Sequence, residues 1–141
     1  MTYDPSDNFL YRPDGIIAFL PLFESHDFEF GHWKTPQSDE PDVLIPPYFS
    51  FSDTATNFVQ AAYNYGWVLS DFDWQSWATT AEANALREDR SALETASPKK
   101  LAKLLTMLIR GDRFSEGTLL DAFNSGLLTN ILRRARAMGA R

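Results

Sequence analysis

One run constrains this fold more than any other. Ser97-Pro98 is followed by Leu101, Leu104, Leu105, Leu108 and Ile109, an unbroken apolar stripe at helical spacing. A serine hydroxyl accepts one of the unpaired N–H groups at a helix start, and proline fits the first helical position because it has no N–H to lose. A helix with five large aliphatic side chains on one face must bury that face, so it is the expected core element. It runs into Arg110-Gly111-Asp112-Arg113-Phe114-Ser115-Glu116-Gly117, a corner with four charges and two glycines around one phenylalanine.

The remaining elements are placed around this helix. Residues 1–12, with Tyr3, Phe9 and Tyr11, read as a loosely docked arm. Asp14 caps an expected helix to about Phe23, with Ile16, Ile17, Leu20 and Phe23 on one stripe and Pro21 disturbing its last turn. From Asp27 to Lys34 the period becomes two, with Phe28, Phe30 and His32 on one face, which predicts a strand. A breaker-rich loop leads to a second strand, Val43–Ile45 and Tyr48–Phe51, where Pro46-Pro47 require an edge or a bulge. The pair makes a hairpin with a long tip. Ser52 or Asp53 starts a helix with Ala55, Phe58, Val59 and Ala62 inward and Gly66 as its C-terminal stop. Trp67-Val68-Leu69 is a candidate third strand, reached by a small crossover.

Asp71 or Asp73 then caps a helix carrying Trp74, Trp77, Ala78 and Ala81 to near Arg87, and Glu88 to Ala96 reads as a connection. Beyond the corner, a short helix from Thr118 to Asn124 turns Leu119, Leu120 and Phe123 inward and stops at Gly126. A last helix carries Leu128, Ile131, Leu132, Ala135 and Met138, with Arg133 and Arg134 turned away. The fold class is α+β: mostly helical, with a small two- or three-stranded sheet from the N-terminal half and a helical C-terminal half. All 141 residues fit one domain.

Composition narrows the chemistry. With no cysteine, neither a disulfide framework nor a thiolate metal site can form. The start of the chain lacks a signal-peptide pattern, and no run approaches the roughly 18 apolar residues of a membrane span. A cytoplasmic protein with no membrane partner is the expectation. The net charge of −6 is uneven: residues 1–96 carry 16 acidic and 4 basic side chains, and residues 97–141 carry 3 and 9. Either the basic half is a surface for an acidic partner or nucleic acid, or the two halves neutralise each other in the fold. The overall acidity argues against a dedicated nucleic-acid binder.

Metal chemistry has little to work with. His26 and His32 are the only histidines, and six extended residues separate them by roughly 20 Å. No phosphate loop and no nucleophile motif occurs, so neither a cofactor nor a metal is expected. Two constellations stand out. In the corner, Arg110, Asp112, Arg113 and Glu116 make either an ion-pair cluster that fixes two helices, with Phe114 seated between them, or an acid/base pair beside an anion site. Gly111 would end the core helix with φ > 0, and Gly117 would permit close approach at the next. The second constellation is Trp67, Phe72, Trp74 and Trp77, which line either a ligand or peptide groove or part of the core.

The chain also resembles a known family through several pieces in order. These are Ala18-Phe19-Leu20-Pro21-Leu22-Phe23, Phe28-Glu29-Phe30-Gly31, Phe72-Asp73-Trp74-x-x-Trp77 and Arg110-x-Asp112-Arg113-Phe114-x-Glu116-Gly117, with Ser125-Gly126 and Ile131-Leu132-Arg133-Arg134 closing the series. The family consists of small, mainly bacterial proteins grouped only as a domain of unknown function. The resemblance spans roughly residues 14–136 and implies an intact single domain without supplying an activity or catalytic residues. The leading expectation is a protein-binding or regulatory module that uses its aromatic and acidic surface. Two alternatives stand beside it: an enzyme using Asp112 and Glu116 with Arg110 and Arg113, and nucleic-acid binding through Lys99, Lys100, Lys103 and the C-terminal arginines.

Overall fold

In a computed structural model the chain is described over residues 12–36 and 39–139. The expected arm at 1–12 lies almost wholly outside these residues. Among them, nine helices and a two-stranded antiparallel sheet make an α+β fold, with the sheet in the N-terminal half and helices throughout the C-terminal half.

The expected first helix is two short ones, α1 (Asp14–Ile17) and α2 (Leu20–Phe23), with Pro21 in the first turn of the second. Breaking at Ala18-Phe19 puts the proline where its missing N–H costs nothing, and Ile16, Leu20 and Phe23 still reach the core. Strands β1 (Gly31–Lys34) and β2 (Tyr48–Phe51) pair with Gly31 opposite Phe51 and Lys34 opposite Tyr48. Both are shorter than the sequence pattern suggests: Val43–Ile45 stays outside the ladder beyond Pro46-Pro47, and β1 begins only at Gly31 because its partner β2 ends at Phe51, where α3 follows. Phe30 is buried, and His32 is exposed on β1. A side chain at Gly31 would start 2.3 Å from the Ser50 carbonyl oxygen, so the hairpin closes only around glycine.

Ser52 accepts the Ala55 N–H and opens α3 (Asp53–Asn64), which buries Ala55, Phe58 and Ala62. Gly66 at φ 84° closes it, and the Trp67 N–H returns to the Ala62 carbonyl at 2.8 Å. The expected third strand does not form. Trp67 is fully buried, and the Leu69 N–H donates to the Thr106 hydroxyl at 2.9 Å instead of to a neighbouring strand. One side chain supplies what a ladder would have supplied, so no crossover is needed.

The expected helix from Asp73 is also divided. Asp73 caps α4 (Trp74–Trp77), and Thr80 caps a new start for α5 (Ala81–Glu88). The segment read as a connection holds α6 (Arg90–Glu94), capped by Asp89 and anchored by buried Leu93. Helix α7 (Pro98–Asp112) begins at Ser97 as expected and packs against α4, α8 (Thr118–Asn124) and α9 (Leu127–Gly139). Its stripe is buried from Leu101 to Ile109. Beside this aliphatic centre lies a ring cluster, in which Phe30 stacks on Phe123 at 5.0 Å and Phe23 meets Phe58 at 5.2 Å.

The acidic and basic halves meet at specific pairs. Arg133 reaches Glu24 at 3.1 Å, and Lys100 and Lys103 lie 3.9 and 4.0 Å from Glu82. Arg134, expected to turn away, instead donates to the Ala96 carbonyl at 2.9 Å. No helix among the described residues is long and apolar enough to cross a membrane.

Candidate functional site

The corner differs from the sequence reading in three respects. Gly111 does not end the core helix: α7 continues through Asp112, and Gly111 is buried within its last turn. Its lack of a side chain instead gives room to Trp74, whose ring lies 3.6 Å from where a Cβ would stand. The glycine with positive φ is Gly117, at 100°, which opens α8.

The four charges do not form a cluster. No ion pair joins Arg110, Asp112, Arg113 and Glu116 among the described residues. Asp112 Oδ1 accepts the N–H groups of Gly117 at 3.2 Å and Leu119 at 3.0 Å. Gly117 has no side chain to cap α8, so a carboxylate from the preceding helix satisfies the first turn and complements its positive end. Glu116 accepts the backbone N–H of Phe49, fastening the corner to β2. Both carboxylates thus engage backbone N–H groups rather than arginine.

Phe114 is not seated between two helices. It is 76% exposed, and its ring packs at 5.9 Å on Trp74, tilted by 42°. The reason is local: the turn after Arg113 leads away from α7, and Leu119 and Ala122 of α8 fill the interhelix space instead.

The aromatic constellation is also divided. Trp67 belongs to the core and donates its indole N–H to the Arg12 carbonyl at 3.0 Å. Trp77 is buried, meets Phe72 edge-on at 5.7 Å, and donates to Glu82 at 3.1 Å. Lys103 lies over the Phe72 ring at 5.7 Å. These three rings are engaged within the fold. Trp74 alone turns toward the corner.

What the fold does bring together is one member of each constellation. Tyr63, Trp74, Arg110, Arg113 and Phe114 line an open cleft of about 370 Å³. Helix α3 supplies Tyr63, α4 supplies Trp74, and the end of α7 supplies Arg110 and Arg113, three residues apart and so on one face. Neither guanidinium has an ion-pair partner among the described residues. Three rings and two cations around one cleft suit a ligand that is apolar in part and negatively charged in part. Sequence reasoning identified Trp74, Arg110, Arg113 and Phe114 but missed Tyr63, which sits on the exposed face of α3 and has no local mark. A smaller cavity of about 120 Å³ adjoins on the Asp112 side, lined by Phe51, Val59, Tyr63, Ile109, Asp112, Arg113 and Leu119.

A family model described as a family of unknown function (DUF6508) matches residues 12–141. No curated protein and no solved structure matches the chain.

Proposed function

We propose, for a chain that belongs to this family of unknown function, that it is a protein-binding module whose docking site is the cleft of Tyr63, Trp74, Arg110, Arg113 and Phe114. The occupant is a partner segment that combines acidic and apolar side chains. The observation that carries this reading is Phe114, a large ring left 76% exposed against Trp74 with two arginines beside it. Tryptophan, tyrosine and arginine are the side chains most enriched among the strong contacts of protein interfaces, and Tyr63, Trp74, Arg110 and Arg113 line the cleft around Phe114.

The rival acid/base reading has less support, because Asp112 and Glu116 each accept a backbone N–H. Nucleic-acid binding is also less favoured. Lys100, Lys103 and Arg133 are paired with Glu82 and Glu24, so part of the basic half is neutralised within the fold.

Calorimetric titration with synthetic peptides of mixed acidic and apolar sequence tests the reading. Binding should weaken about tenfold or more in Phe114→Ala and in Arg113→Ala, with unchanged melting temperatures. Equal affinity in wild type and both variants, or no binding to any such peptide, would count against the cleft.

A further inference from the structure

We infer that the cleft receives the hairpin tip of a second copy of this chain, so that the protein forms a dimer by exchanging tips. This rests on the reading of the cleft as a protein-docking site and names its occupant.

The tip supplies the complementary chemistry. Asp39 to Tyr48 is exposed at every residue. It presents Val43, Leu44 and Ile45 directly after the acidic stretch Asp39-Glu40-Pro41-Asp42, and Leu44 is 96% exposed. A single exposed leucine is ordinary on a protein surface, but here Val43 and Ile45 are exposed on either side of it, giving three consecutive aliphatic residues that a partner can cover. Pro41, Pro46 and Pro47 bracket that patch and restrict its backbone, which lowers the entropy lost when it docks.

The cleft is the match in sign and shape. Its three rings offer apolar surface to Leu44 and its neighbours, and Arg110 and Arg113 offer charge to Asp42. With a net charge of −6, two copies repel in most orientations, so contact is directed to where opposite signs face each other. No described residue of the tip lines the cleft of its own chain.

Tip and cleft are also linked by the same corner. Glu116 holds Phe49 of β2, and a Cβ at Gly117 would lie 3.4 Å from Trp33 of β1. A two-fold axis that seats each tip in the other copy's cleft makes the same contact twice and closes the assembly at two chains, whereas a one-way contact would extend into open chains.

Sedimentation of the full chain over a concentration series tests this. Wild type should show a monomer–dimer equilibrium. Leu44→Asp and Arg113→Glu should each weaken it about tenfold or more, and both sites are exposed, so melting curves should confirm an unchanged fold. Combining Asp42→Arg with Arg113→Glu should restore association by exchanging the signs. A monomer at every concentration, or a dimer that Leu44→Asp and Arg113→Glu leave intact, overturns the inference. A chain that stays monomeric yet binds unrelated acidic–apolar peptides through Phe114 sinks the exchange of tips and leaves the docking site standing. A chain that does neither sinks both.

Discussion

The carboxylate of Glu116 accepts the backbone N–H of Phe49, 67 residues earlier in the chain. In a two-stranded sheet each strand has a free edge whose N–H groups need partners. Glu116 fills one such need and so fixes the hairpin against the corner. Glu116→Ala should destabilise the fold by about 1 kcal/mol, and Glu116→Gln, which keeps an acceptor oxygen, by less. Denaturant unfolding measures both. Amide exchange should quicken at Phe49 in the alanine variant. Unchanged exchange there would remove the brace.

Two glycines of the corner should respond to alanine with opposite signs. At Gly111 the backbone is helical and a Cβ would meet Trp74 at ordinary contact distance, so Gly111→Ala should stabilise by about 0.5–1 kcal/mol. At Gly117 φ is 100°, and Gly117→Ala should cost about 1–2 kcal/mol. Paired thermal melts would reveal the divergence, and a shift of both in one direction would contradict it.

Phe114 should separate the proposed binding from stability. Because the ring is mostly exposed, Phe114→Ala should change stability by no more than about 0.5 kcal/mol. Trp67→Ala, at a fully buried indole, should cost about 3–5 kcal/mol. Chemical denaturation of the two variants compares them directly. A large loss for Phe114→Ala would return the residue to a core role.

Thr106 is a buried hydroxyl that joins two segments. It accepts the Leu69 N–H at 2.9 Å and lies 2.7 Å from the Ala102 carbonyl, to which it donates. Thr106→Val keeps the shape but strands the Leu69 N–H, at a cost of about 1–3 kcal/mol. Thr106→Ser should cost less than valine, because the hydroxyl is retained. The order of the two unfolding midpoints is the measurement.

Asp73 caps α4 and so positions Trp74 at the cleft. Its carboxyl pKa is held below the ordinary 3.8, first by the Ser76 hydroxyl and then by the Ser76 N–H. A depressed folded-state value means the cap stabilises the fold above about pH 3.8, and this contribution is lost as pH falls through the lower folded value. An NMR titration should place the Asp73 midpoint below 3.8, and Ser76→Ala should raise it. An unshifted midpoint in wild type would contradict the cap's electrostatic role.

The parts of this fold that were legible in the sequence are those fixed by neighbours along the chain. Ser97-Pro98 and the leucine stripe specify α7, and Ser52 and Gly66 bound α3, because caps and helical periods are local signals. Helix α6 was not legible, since Leu93 is its single buried residue and its stability comes from packing on α5 and α9. Trp67–Leu69 has the composition of a strand, but Thr106, distant in sequence, takes its hydrogen bond. The cleft was half legible. Trp74 and Phe114 could each be singled out, but nothing local says that a ring 40 positions away will be its neighbour, or that Phe114 will face water.

The four tryptophans occupy four different settings. Trp67 is sealed in the core, Trp77 is buried with its N–H on Glu82, Trp74 is half-buried at the cleft, and Trp33 is 49% exposed on the hairpin. Indole emission shifts to shorter wavelength in apolar surroundings, and aqueous quenchers reach only rings that touch solvent. The intrinsic fluorescence of this protein therefore divides into a shielded pair and an accessible pair. Loss of the core and occupation of the cleft should leave separate spectral signatures without any attached dye.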